Sequence, residues 1–313
     1  MTVLDHSRTS ATRPTRTPVG SGSGSGSGLL LAAVVWSGSF VVSRALHDSV
    51  PPVQAAFWRW VIALVAVAPF AVRQAWRERA LLRRHFGYVA LAALLGITVY
   101  NTLVNQAGVT TSASNMGMIM AAAPVLIAVF ARQRIGGRRA VGLVIALVGV
   151  LTLLCKGSPA ALLRLDFTTG DLWMLAAALS FAGYSALLRR KPARIGQLPF
   201  LLATFALGAT LLAPVYVVSL VTQGGFALST GTVGPLLYVG VCSSAVAFFA
   251  WNKAIALIGP ARAGIVYYLQ PVCVALLSFA LLGERTGPLQ ILCMALILAG
   301  VALGASGPVT ARR

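Results

Sequence analysis

The chain has 313 residues, of which 58% are hydrophobic and only 10% are charged, and its formal net charge is +19. Typical soluble domains carry about 25% charged residues, so this composition excludes a soluble domain of useful size. The basic residues fall in short loops rather than in one patch, which argues against a nucleic-acid-binding protein.

The N-terminal stretch differs from the rest of the chain. Residues 1–28 are polar, and Ser21 to Gly28 is a strict Ser-Gly alternation. Such a sequence behaves as a flexible coil, so we predict a disordered cytoplasmic tail over residues 1–28. The first apolar run begins near Leu29 and continues as a full span, which argues against a secretory signal peptide.

Long apolar windows occupy most of the remaining chain. A membrane-spanning helix needs about 20 apolar residues. The sequence therefore predicts an all-α integral membrane protein with ten transmembrane helices, at residues 29–48, 51–72, 86–107, 109–131, 138–155, 170–190, 199–222, 231–254, 260–282 and 287–305. An outer connecting loop (156–169) and a C-terminal tail (306–313) complete the predicted organisation.

The basic residues are distributed unevenly between the two sides of this arrangement. With the N-terminus in the cytoplasm, the cytoplasmic side carries 20 basic residues and the outer side carries 4. Cytoplasmic loops of membrane proteins are enriched in Lys and Arg. We therefore predict that both termini are cytoplasmic and that the protein lies in the bacterial plasma (inner) membrane.

One module occurs twice in the sequence. A shift of about 147 positions brings Asn105 onto Asn252 and Pro124 onto Pro271. Five spans per copy is an odd number, so the second copy must insert upside down relative to the first. This predicts an inverted-topology 5+5 repeat, an arrangement typical of secondary transporters. The predicted copies span residues 29–155 and 170–305.

Groups that perform catalysis are scarce inside the predicted spans. Every Asp, Glu and His lies in the tail, in a loop or at a span end, and the four cysteines show no metal or disulfide spacing. We therefore predict no catalytic residue, no metal, no cofactor and no enzyme activity. Proton-driven carriers relay protons through buried Asp, Glu or His, so we also expect no obligatory proton antiport.

The candidate binding residues are one buried cation and a set of neutral polar and aromatic side chains. Arg59 lies well inside a predicted span, where it either binds a substrate carboxylate or hydrogen-bonds other helices, and both readings stay open. The predicted substrate-binding residues are Trp36, Arg59, Asn101, Asn115, Tyr184, Tyr267 and Gln270. Pro124 and Pro271 each remove a backbone donor at a similar depth, so we predict a helix kink at both.

Several stretches resemble one known family. LAAVVWSGSFVVSRAL, PPVQAAFWRWVIALVAVAP and TTSASNMGMIMAAAPVLIAVF in the first half, and GPARAGIVYYLQPVCVALLSFALLGERTGPLQILCMALILAGV in the second, resemble EamA-type carriers of the drug/metabolite transporter superfamily. The resemblance covers nearly all of residues 29–305. It implies a ten-helix inverted-repeat carrier, typically an exporter of amino acids, metabolites or drugs, with a cavity between the halves. It matches family positions to Trp36, Arg59, Pro124 and Pro271.

The chain departs from this family pattern at the turn after the fourth predicted span. Gln133-Arg134 stands where the first half of the family often has Glu-Arg, whereas the second half keeps Glu284-Arg285. The first copy is also about four residues shorter here. The departure concerns the geometry of this turn rather than the fold.

The combined expectation is a secondary transporter. We predict an exporter of small organic metabolites, either amino acids or drug-like amphipathic solutes, that works across the inner membrane by alternating access. Its expected partners are a small-molecule substrate and the lipid bilayer, with no nucleic acid, and the sequence leaves open whether the chain forms a homodimer. The alternative is a channel-like or structural membrane protein without solute turnover.

Overall fold

The computed structural model describes residues 23–131, 137–154, 168–263, 267 and 269–305, and no strand occurs in these ranges. Its longer helices are α1 (Ser23–Ala45), α2 (Pro52–Arg77), α4 (Phe86–Thr110), α7 (Gly137–Leu154), α8 (Thr169–Leu188), α9 (Gln197–Gln223), α10 (Thr230–Ile258), α12 (Gln270–Leu282) and α13 (Pro288–Ala305). The shorter ones are α3 (Arg79–Arg84), α5 (Ala113–Met120), α6 (Ala123–Phe130) and α11 (Pro260–Ala263).

Six of the described segments are long and apolar enough to cross a membrane. They are α2, α4, the pair α5–α6, α8, α9 and α10. Shorter apolar helices occur at Leu31–Ala45, Ala140–Leu153, Gln270–Leu282 and Pro288–Gly300. The prediction of an all-helical integral membrane protein is therefore confirmed, and the count of ten spans stays a prediction.

Proline and glycine residues mark where several helices start and end. Pro51 and Pro52 stand at the start of α2, where a missing backbone donor does no harm. Gly259 ends α10 with a φ of 80°, a left-handed conformation that glycine adopts without a steric penalty. Because lipid offers no hydrogen bonds to a free backbone, such interruptions are confined to positions that protein or water can reach.

Two local predictions need correction or refinement. Helix α1 begins at Ser23 rather than Leu29, so the last part of the expected coil is helical; intrinsic propensity is a weak constraint next to an apolar span. Pro124 and Pro271 do not bend continuous helices, because each lies in the first turn of a new one, α6 and α12. The loop 156–169 lies almost wholly outside the described residues, as do residues 1–22 and the tail 306–313.

The helices pair in a pattern that recurs between the two copies. Helix α8 packs against α4, α5 and α6, and α1 packs against α10 and α12. Helix α9 contacts α4, while α2 contacts α10. The remaining main pairs join corresponding helices, α2 with α9 and α7 with α13. The backbones of α7 and α13 approach closely, since a Cβ at Gly300 would lie only 2.5 Å from the backbone of α7. Small residues commonly allow such close packing between membrane helices.

Candidate transport site

Aromatic side chains fill the centre of the bundle around Trp36. The Trp36 ring stacks on Tyr267 with centroids 5.9 Å apart and makes edge contacts with Phe181, Phe248 and Trp251 at 5.8, 5.8 and 5.5 Å. These five residues, which we call the aromatic cluster, are all buried. They come from α1, α8, α10 and the turn before α12, so the cluster joins helices of both copies.

A π-helical segment of α10 holds Trp36 in place. Residues Tyr238–Val246 form wider turns than an α-helix, and such segments release backbone carbonyls for other partners. The Trp36 indole nitrogen donates to the carbonyl of Ser243 at 2.9 Å, and the Ser244 hydroxyl donates to the carbonyl of Val239 at 2.8 Å.

The same segment surrounds Arg59, which is only 2% exposed. Its guanidinium donates to the hydroxyl oxygens of Ser244 at 2.6 Å, Ser243 at 2.9 Å and Ser39 at 3.1 Å. No carboxylate forms an ion pair with Arg59 within the described ranges. Three of its five N–H donors are thus satisfied by neutral acceptors, and the cation keeps its charge unneutralised.

A second π segment lies at the corresponding position of the first copy. It spans Leu94–Val99 in α4, and a shift of about 147 residues places it inside the π segment of α10. The Asn101 amide nitrogen donates to the carbonyls of Gly96 and Ile97, both at 3.3 Å, and the Ser180 hydroxyl donates to Leu95 at 2.8 Å. The side-chain amide oxygen of Asn101 is buried without a hydrogen-bond partner.

Tyr184 connects this segment to α10. Its hydroxyl donates to the Asn252 side-chain oxygen at 2.9 Å. Its ring packs against Gly96, where a Cβ would come within 2.5 Å of a ring carbon. Glycine is therefore required at position 96 for the contact. Asn105, the repeat counterpart of Asn252, accepts from the Ser43 hydroxyl at 2.9 Å in the same way.

Several polar atoms around the cluster are buried without a hydrogen-bond partner. They are the Tyr267 hydroxyl, both amide atoms of Gln270, the Asn252 amide nitrogen, the Trp251 indole nitrogen and the Ser185 hydroxyl. Each such group costs about 1–3 kcal/mol when it stays unpaired. Their concentration on facing helices indicates a place for water or for a solute with hydrogen-bonding groups.

Six of the seven predicted binding residues are therefore buried and placed on helices that pack around this centre. Asn115 differs, since it is half-buried and its side-chain oxygen accepts from Gln290 of α13 at 2.7 Å. It lies in a contact between α5 and α13 and does not join the aromatic cluster. Its assignment to the binding site stays a prediction.

Sequence reasoning missed Phe181, Phe248 and Trp251 because aromatic residues are also ordinary fillers of a helical core. Asn252 was identified only as a repeat marker. The available signal for Asn252 was its position directly after Trp251, on a predicted span that also contains serines and a lysine. Within the described ranges no group of three or more His, Cys, Asp and Glu residues is arranged to hold a metal.

A cleft of about 690 Å³ opens at the end of the bundle that carries the α8–α9 loop. Leu91 and Leu95 of α4 form one wall and Phe130 of α6 the other, with Arg189 and Arg190 exposed at the end of α8. The cleft is mixed in character, with apolar walls and a basic rim. The cleft opens on the side of the molecule that the distribution of basic residues in the sequence assigns to the cytoplasm.

Comparison with known proteins adds a family. The model of the EamA-like transporter family matches residues 26–155 and again residues 168–305. An uncharacterized transporter of Bacillus subtilis, YyaM, is 26% identical over 287 residues, covering 89% of this chain and 92% of the relative. A protein of Streptantibioticus cattleyicolor named as a probable terminal-alkyne amino-acid exporter is 28% identical over 283 residues, covering 88% and 91%.

A solved crystal structure shares the fold. It matches with a TM-score of 0.64 at 20% sequence identity, covering 91% of this chain and 97% of that one. At this level of identity the likeness concerns the fold alone.

Proposed function

This chain belongs to the EamA-like transporter family, and we propose that it is a secondary carrier that exports small organic solutes across the plasma membrane by alternating access. The observation that carries the proposal is the aromatic cluster with its unpartnered polar atoms, which lies between helices of both copies. A site between two repeats, ringed by broken or irregular helices, is the arrangement from which such carriers work.

The chemistry of the site favours an amphipathic solute with an acidic group. Rings of Trp36, Trp251 and Tyr267 offer apolar and π surface, and Gln270 offers a free donor and acceptor. Arg59 supplies a positive charge that no described carboxylate neutralises. An amino acid with an apolar side chain would use the aromatic surface, the Gln270 amide and the Arg59 charge together. One relative is named as a probable amino-acid exporter.

The proposed architecture is an inverted-topology 5+5 repeat of ten helices. Support comes from the double match of the family model, from the corresponding π segments in α4 and α10, and from helix pairs that exchange between copies. The basic residues of the loops support cytoplasmic termini.

Reconstitution tests the function. Purified protein in proteoliposomes should show saturable counterflow of labelled L-amino acids with apolar side chains, and unlabelled analogues should compete. The corresponding amines, which lack the carboxylate, should compete poorly. A cell strain that overproduces the protein should resist toxic analogues of the same solutes. Absence of saturable flux for every solute tried, with correctly inserted protein, would reject the carrier.

Thiol labelling tests the topology. Single cysteines at Ser10, Ser158 and Gln223 are introduced into a cysteine-free background. In intact cells an impermeant thiol reagent should label the second and third positions and spare the first. Labelling at Ser10 would overturn the cytoplasmic N-terminus.

A further inference from the structure

The turn between α12 and α13 carries a carboxylate that binds three other groups. Gly283, with a φ of 67°, ends α12 in a left-handed turn and directs Glu284 back across the bundle. One Glu284 oxygen accepts from Arg44 Nε of α1 at 3.2 Å. The other accepts from the backbone nitrogen of Ala113 at 3.2 Å and from the Ser278 hydroxyl at 2.5 Å. The Ala113 contact lies at the start of α5, where the helix dipole favours a negative charge.

Arg44 extends this contact to a fourth helix. Its Nη1 donates to the carbonyls of Gly108 at 3.0 Å and Val109 at 3.2 Å, near the C-terminal end of α4. Glu284 belongs to the second copy, while Arg44, Gly108 and Ala113 belong to the first. The pair therefore fastens the ends of α1, α4 and α5 to the α12–α13 turn.

The pair lies above the aromatic cluster on the side assigned to the outside. Arg44 follows Trp36 by eight residues on α1, which corresponds to about 12 Å along the helix. Both side chains are partly exposed, Arg44 at 29% and Glu284 at 22%. An ion pair that water can reach is weak enough to open repeatedly, whereas a fully buried one would resist separation.

The opposite end of the bundle is fastened without an ion pair among the described residues: Glu78, just after α2, accepts from the backbone nitrogen of Gly196 at the start of α9 at 2.8 Å. Arg189 and Arg190 end α8 beside the open cleft, and neither forms an ion pair within the described ranges. The sequence from Pro124 to Arg139, which corresponds to the stretch containing Glu284 in the second copy, contains no Asp or Glu. Among the described residues an Arg–Glu ion pair between the copies is thus present at the outer end and absent at the cytoplasmic end.

We propose that Arg44 and Glu284 are positioning residues that form an ionic latch, closing the outer end of the transport path while the cytoplasmic end is open. The inference rests on the proposed carrier function and topology. Opening toward the outside requires Glu284 to leave Arg44 and the α5 terminus together. Without the latch, the outward-open population rises and the path below Arg44 becomes accessible from outside.

The first test measures accessibility and needs no transported solute. Val41 lies one turn below Arg44 on the same face of α1 and is buried. In a cysteine-free background, Val41→Cys should react slowly with an impermeant thiol reagent applied outside. Adding Glu284→Gln should raise the labelling rate about tenfold, within the range of ordinary coupling between sites. Arg285→Gln, an exposed charge change in the same turn, is the matched control and should leave the rate unchanged.

Two outcomes of this measurement overturn the latch. One is an unchanged labelling rate in the Glu284→Gln variant, with Gln223→Cys as the reference for reagent access. The other is an equal rise in the Arg285→Gln control, which would indicate general loosening of the fold. Membrane abundance and melting temperature of each variant identify misfolded protein.

The second test uses transport. Arg44→Cys and Glu284→Cys, joined by a thiol crosslinker with an internal disulfide, should stop solute counterflow, and reduction should restore it. Full transport by the crosslinked protein contradicts the latch. If the uncrosslinked parent moves no solute at all, the carrier function fails while the accessibility result still decides the latch.

Discussion

Helices α2 and α9 contain a proline at corresponding positions, Pro69 and Pro214. The residue ten positions before the proline differs between the two helices. There α2 has Arg59 and α9 has Thr204, and both are buried. Arg59 reaches three serine hydroxyls on α1 and α10, whereas the Thr204 hydroxyl only donates to backbone carbonyls of its own helix. The two copies therefore share a backbone feature and differ in the polar group placed beside it.

The same contrast occurs at the helix breaks. Pro124 and Pro271 both lie in the first turn of a new helix. The residue before Pro124 is Ala123, while the residue before Pro271 is Gln270, which is buried with both amide atoms unpartnered. Tyr267, whose buried hydroxyl is also unpartnered, stands where the first copy has the apolar Met120. Backbone breaks come from both copies, but hydrogen-bonding groups beside them come mainly from the second.

The largest difference between the copies is expected at Arg59. Arg59→Ala leaves three buried serine hydroxyls without their donor and creates a cavity, so we expect a loss of about 2–4 kcal/mol in stability. Thr204→Ala, the matched change in α9, should cost much less. Melting temperatures in detergent compare the two. Unchanged stability with weaker binding of carboxylate solutes alone would show that Arg59 acts as a ligand rather than as a structural group.

Gln270→Leu sharpens the contrast at the helix breaks. The change removes unpartnered polar atoms while nearly conserving volume, so stability should not fall. If Gln270 hydrogen-bonds the solute, KM should rise about tenfold, the equivalent of roughly 1.4 kcal/mol. Met120→Leu in the first copy is the control and should leave KM unchanged. Equal transport of every solute by the Gln270→Leu variant and the parent removes Gln270 from the site.

The two corresponding asparagines give a smaller, paired test. Tyr184→Phe deprives Asn252 of its hydroxyl partner, and Ser43→Ala does the same for Asn105. Each loss should cost about 1 kcal/mol of stability. Only Tyr184→Phe, which lies against Phe181 of the aromatic cluster, should also alter KM. A KM change of the same size in both variants would mean that the two positions are not functionally distinct.

The smallest effect is expected at Asp171, an acidic residue that only the second copy has at its first helix. It lies in the first turn of α8, is buried, and accepts from the Thr111 hydroxyl at 2.5 Å. Asp171→Asn keeps an acceptor for Thr111. If transport is facilitated or proceeds by exchange, the variant should respond to an imposed pH gradient as the parent does. Accumulation in the parent that needs the gradient and disappears with a protonophore would contradict this expectation.

The amino-acid sequence by itself determined the class of protein and its repeated plan. Apolar runs near 20 residues can be satisfied in lipid only as helices, so the segments around Pro52–Arg77 or Gln197–Gln223 follow directly from composition. A lone cation within such a run must find partners inside the protein or on a solute, and the sequence left both readings of Arg59 open.

Only the tertiary structure decided which side chains meet. The acceptors of Arg59 lie on α1 and α10, as far as 185 positions away along the chain. The hydrogen-bond partner of Asn115, a predicted binding residue, is Gln290 of α13, 175 positions away. The physical reason is that lipid and protein interior are both apolar, so hydrophobic periodicity does not distinguish the two faces of a membrane helix as it does in water. Packing alone sets which face of α5 or α10 points inward.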